Sequence, residues 1–399
     1  MPILFLIVVI DLIGFGVIIP LLPFYAEFYH ASPAQVGLVM ATYSFTQFLA
    51  APIWGRMSDR VGRRPVLLIS LAGAALSYVW LGYCETLWML FAARAVGGFM
   101  AGNISTAFAY VADVTTRENR AKGMGMIGAA FGLGFIVGPA LGGILAGSDP
   151  VHADFRSPAF AAAGLSTIAF VLTLAVLKES LSPEIRTRLA NRASQTRRQQ
   201  FIQAITNPVV TQLLLISFLA TFAFAGLEAT FAMWSRRQFG WGPEQNGYLF
   251  AFIGVLGATI QGGLIGRLSK RFGEGNLIIQ GSIALTIGIF LIPFSQTLPV
   301  LLLAMMIAAY GFSVISPALS SSLSLQANDD EQGGMMGVSR SATTLARVAG
   351  PANAGLLFSV FGRDWPYYGG AVVMAIVVVL AIRVNSRAPK KEKATQHET

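Results

Sequence analysis

Twelve apolar runs parted by short polar gaps occupy this chain, at about 3–22, 35–54, 66–83, 88–110, 122–146, 158–178, 209–231, 244–265, 276–295, 298–325, 335–361 and 366–384. A helix needs roughly 20 apolar residues to cross ~30 Å of hydrocarbon. Each run therefore reads as a spanning helix, whose backbone polar groups are satisfied within the segment. Twelve such helices use about 240 residues. In a chain of 399 this leaves only short connections and no large soluble domain. The composition agrees, with 54% hydrophobic and 12% charged residues, against about a quarter charged in soluble domains. Disordered, collagen-like and ordinary soluble-enzyme classes are excluded. The first run carries Asp11 and Pro20, follows almost no basic stretch and precedes no small-residue cleavage site. It reads as a retained span rather than a signal peptide.

Charge sets the expected orientation. With both termini cytoplasmic, 21 of the 28 Lys and Arg fall on the cytoplasmic side and four (Arg156, Arg236, Arg237 and Arg363) on the other; Arg94, Arg340 and Arg347 lie within spans. This asymmetry follows the positive-inside rule. The net charge of +9 does not indicate nucleic-acid binding, because the basic residues sit in gaps rather than along one face. One cysteine, Cys84, permits no internal disulfide, and His30, His152 and His397 have no ligand spacing, so no metal is expected. The longest gap, 179–208, is basic and polar. It parts a bundle of six helices at 1–178 from a second at 209–384, with a cytoplasmic tail at 385–399. Within it, 184–204 fits either an interfacial helix that sets Ile185, Leu189 and Phe201 against lipid or a solvated linker.

An internal repeat links the halves. Gly55-Arg-Met-Ser-Asp59-Arg-Val-Gly62-Arg63-Arg64 follows span two, and Gly266-Arg-Leu-Ser-Lys270-Arg-Phe-Gly273-Glu-Gly275 follows span eight, offset by 211. Gly138-Pro139-Ala-Leu-Gly142-Gly143 and Gly350-Pro351-Ala-Asn-Ala-Gly355 recur at an offset of 212. Six spans per copy is even, so both copies enter from one side, as parallel repeats about an axis along the membrane normal. The expected fold is all-α and integral to the membrane, with twelve transmembrane helices in two parallel six-helix repeats.

Here the chain resembles the major facilitator superfamily. Gly55–Arg64 is similar to its signature between the second and third helices, and Leu90-Phe-Ala-Ala-Arg94-Ala-Val-Gly-Gly98 to the fourth-helix motif of proton-coupled members. Gly132-Leu-Gly134-Phe-Ile-Val-Gly138-Pro139-Ala-Leu-Gly142-Gly143 resembles the fifth-helix motif of antiporters. Asp11 to Pro23, Ala112-Asp113 with the two following threonines, and His152 through Phe160 resemble the tetracycline/proton antiporters. The match is close in the N-terminal half and loose in the C-terminal half. It departs at Ser77, where those exporters carry an intramembrane carboxylate, and between 276 and 295, which holds no acid. Tetracycline is therefore expected to be a poor substrate.

Charges inside hydrocarbon need a partner or a task. Asp11, midway along span one, suits reversible proton binding, or else a permanent pair with Arg94. Glu228 in span seven suits a second proton site or a contact for a cationic substrate, or snorkels to the outer headgroups. The resemblance implies proton transfer for Arg94; the alternative is a clamp on backbone carbonyls. The Gly55, Asp59, Arg60, Gly62, Arg63, Arg64 segment reads as a gate. Asp59 would dock on the N-terminus of span eleven at Gly333–Gly337, where N–H groups and the helix dipole attract an anion. Arg63 would pair with Asp113. Lys270 replaces Asp59 in the duplicate, so only one latch of this type is expected. Gly134, Gly138, Gly142 and Gly143 with Pro139 permit close helix approach, as packing or as a seal between halves. Tyr43, Gln47, Asn103, Phe224, Gln261 and Tyr310 are candidates to line a midplane cavity, or to act as interhelical contacts.

The expected function is export of an amphipathic, drug-like compound in exchange for protons, by alternating access, in the cytoplasmic (inner) membrane and as a monomer. No nucleotide-binding loop is present, so no cofactor beyond the proton gradient is expected. A proton symporter for a sugar, peptide or metabolite is the alternative. No catalytic constellation supports an enzyme, and no output domain supports a sensor.

Overall fold

A computed structural model describes residues 2–116, 119–181, 206–326 and 332–387. Among them run twelve long helices: α1 (Pro2–Phe28), α2 (Pro33–Val61), α3 (Arg63–Gly82), α4 (Leu87–Val114), α5 (Lys122–Ala146), α6 (Arg156–Val176), α7 (Pro208–Phe239), α8 (Pro243–Phe272), α9 (Glu274–Phe294), α10 (Leu298–Leu325), α11 (Gln332–Phe361) and α12 (Trp365–Ser386). Eleven are long and apolar enough to cross a bilayer; α11 is diluted by Arg340, Arg347 and several Ser and Thr residues. The interfacial helix considered for 184–204, the tail from 388 and the side chain of Asn103 lie outside the described residues.

Several helices outrun their apolar sequence. The segment after span two is not a loop: α2 continues to Val61 and Gly62 alone separates it from α3. In the duplicate, Gly273 alone separates α8 from α9. Both glycines have positive φ, 119° and 76°, a conformation strained for any residue with a Cβ. The 211-residue repeat thus marks a one-residue helix break. Prolines shape the other interruptions: Pro20 lies in a 3₁₀ turn within α1, and Pro33 and Pro243 open α2 and α8, where the missing N–H is no loss.

The packing of the first six helices recurs in the second six. The pairs α1–α5, α1–α6, α3–α6, α3–α4 and α2–α4 correspond to α7–α11, α7–α12, α9–α12, α9–α10 and α8–α10. Between the halves, α2 packs on α11 and α8 on α5. The outer helices bare apolar stripes at helical spacing, such as Ile283, Ile287 and Phe290 on α9 and Val372, Ile376 and Val379 on α12. Continuous apolar faces of this size are a membrane surface.

Both of these seams tighten at the face opposite the termini. A Cβ on Gly37 would collide with the Pro351 carbonyl oxygen, and one on Gly355 with that of Pro33. In the related seam, a Cβ on Gly247 would collide with the Pro139 carbonyl oxygen, and one on Gly143 would lie 2.8 Å from that of Pro243. The Glu244 N–H also donates to the Gly147 carbonyl oxygen across this seam, at 3.2 Å. Toward the termini face the same four helices bare their glycines. A Cβ at Gly55, Gly125, Gly128, Gly262, Gly263, Gly266 or Gly337 meets nothing within 4 Å. The molecule is sealed at one face and parted at the other.

Candidate functional site

The α2–α3 junction at the termini face gathers charge around Arg63. Its Nη1 donates to Asp59 Oδ1 at 2.6 Å and Ser58 Oγ at 2.7 Å, and its Nε to Asp113 Oδ2 at 3.0 Å. The expected Arg63–Asp113 pair is present, and the Arg63 side chain is only 5% exposed. Glu179, which the sequence reading passed over, accepts from the N–H groups of Arg63 and Arg64 at 2.9 and 3.1 Å. An acid at a helix N-terminus satisfies orphan donors and complements the dipole. Arg64 also donates to the Leu174 carbonyl oxygen, while Arg60 is exposed. Asp59 is bonded to Arg63 rather than docked on α11, because the halves stand apart at this face.

Asp11 lies inside the first half. Ser166 Oγ on α6 donates to its Oδ1 at 3.4 Å. Among the described residues no ion pair joins Asp11 to Arg94, so the permanent pair weighed above is absent. Arg94 is buried, with its guanidinium 4.1 Å from the centroid of the Tyr43 ring, and its Nε has no hydrogen-bond partner. Tyr43 stands within electrostatic reach of both Arg94 and Asp11, as does Tyr78. Phe15 joins Tyr43 at 5.1 Å and Phe135 at 6.3 Å, so α1, α2 and α5 converge beside Asp11. Ser77 is buried against Gly97 and donates to the Ala74 carbonyl oxygen.

In the second half, Glu228 does not snorkel. It is 11% exposed and lies 3.6 Å from Arg347 on α11. Phe224 stacks on Phe312 at 3.9 Å, Gln261 is exposed on a π-helical turn, and Tyr310 is half-buried. Two cavity candidates take other places. Gln47 Nε2 donates to the Ala101 carbonyl oxygen between α2 and α4, and Tyr43 is buried under Arg94. The fifth-helix glycines divide their work: Gly134, Gly138 and Gly142 meet α1 within one half, and Gly143 with Pro139 forms the seam to α8.

Two features of the sealed face escaped the sequence reading. Glu27 at the end of α1 binds Arg236 at 3.1 Å and Arg237 at 2.9 Å at the end of α7, tying the halves together. With His30 and Ala31 they line a cavity of about 490 Å³. No local pattern signals this pairing. The second feature left a signal: Pro33-Ala-Gln35-Val-Gly37 and Pro243-Glu-Gln245-Asn-Gly247 repeat at an offset of 210. Each Pro and Gly belongs to a seam, and each Gln side chain accepts from the N-cap N–H, of Ser32 at 2.8 Å and of Gly242 at 2.9 Å.

Known proteins place this architecture. The chain is 32% identical over 379 residues to the class C tetracycline resistance protein of Escherichia coli, covering 93% of each. It is 32% identical to multidrug resistance protein 1 of Bacillus subtilis (strain 168), covering 96% of this chain and 95% of that one. Its fold resembles the crystal structure of the human organic anion transporter MFSD10, with a TM-score of 0.72 and 28% identity, covering 95% of this chain and 98% of that one. The pattern of the Major Facilitator Superfamily matches residues 4–327 and again 260–399. With its repeated six-helix packing, paired glycine seams and Arg63 junction, the chain belongs to the Major Facilitator Superfamily: it is a multi-pass membrane transporter of small molecules, not an enzyme.

Proposed function

We propose that the protein exports amphipathic, drug-like compounds in exchange for protons, by alternating access. The observation that carries this reading is the asymmetry of the halves, sealed at one face and parted at the other, beside a carboxylate inside the first half, Asp11, that pairs with no arginine among the described residues. The drug-resistance relatives support the substrate class. The Lys and Arg distribution supports a parted face that lies, with both termini, in the cytoplasm of an inner-membrane protein. The structure is then the state that takes cargo from the cytoplasm. The working units are 1–178 and 209–384, joined by 179–208 and acting as a monomer.

In this cycle the glycine seams and the Glu27 ion pairs release the sealed face, and the termini face closes. Asp59 then leaves Arg63 for the N-terminus of α11, while Asp113 keeps the arginine. Asp11 takes a proton from the outside and gives it up inward, with Arg94 and Tyr43 beside it and Glu228 as a second site in the other half. The proton gradient supplies the energy, without a cofactor.

Asp11→Asn tests the reading in reconstituted vesicles with an imposed pH difference. Proton-driven efflux falls at least tenfold, while substrate binding stays within about threefold. Unchanged efflux would remove Asp11 from the mechanism.

A further inference from the structure

Charge within the spans is unevenly matched. Away from the helix ends, the described spans hold two carboxylates, Asp11 and Glu228, and three arginines, Arg94, Arg340 and Arg347. Glu228 engages Arg347, and Arg94 is buried on Tyr43. Arg340 is different. Its guanidinium carbon lies 4.0 Å from the centroid of the Phe108 ring on α4, in the other half. No carboxylate among the described residues pairs with it or lies within its electrostatic reach.

Its place in the fold makes this informative. α4 and α11 are not a packed pair, so the side chain reaches across the space between the halves. Arg340 is eight residues into α11 from the parted end, about 12 Å along the axis at 1.5 Å per residue. It is exposed to solvent while lying against Phe108 of the other half, as a side chain in an open central cavity is. A cation at this depth that lacks a counter-charge is costly. A guanidinium stacked on an aromatic face keeps its N–H edge free, and that edge matches a carboxylate or sulfonate through two parallel hydrogen bonds.

We infer that Arg340 and Phe108 form the charge-recognising part of the cavity, and that the cargo is an amphipathic organic anion, an aromatic body bearing a carboxylate or sulfonate. This rests on the export reading above and names the charge class of its substrate. The absence of acids at position 77 and across 276–295 points the same way, because a cationic cargo would find little to neutralise it. Phe108 holds the guanidinium in place and offers its own edge to the aromatic body.

Binding to the purified full chain tests this without a gradient, using three matched probes: naphthaleneacetate, its neutral methylamide and a naphthylmethyl trimethylammonium cation. The wild type binds the carboxylate about tenfold tighter than the cation. Arg340→Gln brings the carboxylate affinity down to that of the methylamide, and Arg340→Lys, which keeps the charge and loses the fork, retains part of the preference. Phe108→Leu weakens all three. Tightest binding of the cation, or a carboxylate affinity that moves less than twofold in a monodisperse Arg340→Gln protein, overturns the inference. If no probe is driven by protons while the carboxylate preference persists, the coupling mechanism fails and the charge assignment stands.

Discussion

The two ends of the bundle use different chemistry to hold the same four helices. At the sealed face, α2 meets α11 and α5 meets α8 through glycines set against proline carbonyls, with Glu27 bound to Arg236 and Arg237 as the only ion pairs between halves among the described residues. At the parted face the ion pairs lie within one half, around Arg63, and a Cβ on the glycines that the same helices carry there would meet nothing within 4 Å. Backbone contact through glycine is short-ranged: a shift of an ångström ends it, and nothing pulls it back from a distance. A charged cluster is different, because it can exchange one partner for another. The sealed face is therefore held by shape and two charge pairs, and the parted face keeps its charges occupied while it is open.

The sharpest way to break this contrast is to fill a seam. Gly37→Leu and Gly247→Leu each set a side chain against backbone that cannot move aside. Each is expected to destabilise the sealed state by about 1–3 kcal/mol through overpacking and to lower transport more than tenfold. Gly125→Ala, at the parted face, meets nothing in this state and leaves thermal stability unchanged or raised. Equal melting temperatures for Gly37→Leu and wild type would refute the seam.

Glu27→Gln removes both ion pairs across the sealed face. Glu27 is 11% exposed, but its arginines are 32% and 38% exposed, so solvent screening limits the pairs to about 1 kcal/mol together. That corresponds to roughly a fivefold population shift. Labelling of a cysteine introduced near Ala31 should rise by this factor, and an unaltered rate would mean that the glycines alone close this face.

Asp59→Asn acts on the other end. Arg63 keeps Asp113 and Ser58, so the parted state loses only an ion pair that is 30% exposed on the aspartate side, a few tenths of a kcal/mol. If Asp59 also latches onto α11 in the alternate state, the larger loss falls there, and cysteines at the termini face become more accessible. An unchanged labelling pattern would discard the latch.

Apart from both seams, Asp154 caps α6 at the sealed face by accepting from the N–H groups of Arg156 and Ser157 at 2.8 and 3.1 Å. Partial burial opposes its charge, but the bonds from Ser157 and Arg156 outweigh that and hold the carboxyl below the usual range. A lowered pKa means that its stabilisation is present above the ordinary carboxylate pKa of about 3.9 and is lost as pH falls through the folded value. Asp154→Ala should cost about 1 kcal/mol at pH 7, and this cost should shrink as pH falls through the folded value, by thermal unfolding in detergent. A difference that persisted at low pH would place the effect elsewhere.

Much of this is legible in the sequence alone. Lipid rewards only uninterrupted apolar helices, so span number and approximate limits follow from composition along the chain, and Gly138-Pro139 with Gly350-Pro351 exposed the duplication. Arg63 and Asp113 were paired on resemblance, and the structure has them in contact. The polar residues of Gly55–Arg64 place it in a gap between apolar runs, whereas α2 extends past the apolar stretch as a helix to Val61. Glu27 and Arg236 lie 209 residues apart in sequence, and no local spacing records which helix ends meet.

By itself the sequence determined that the chain is a twelve-span duplicated membrane protein, because hydrophobic length and internal repetition are properties of residues in order. Only the tertiary structure decided which charges find partners. Asp11 stands without Arg94, Glu228 takes Arg347, and Arg340 faces Phe108 across the gap, since such pairings depend on how helices pack within each half and how far apart the halves stand, and Coulomb and stacking contacts act over a few ångströms.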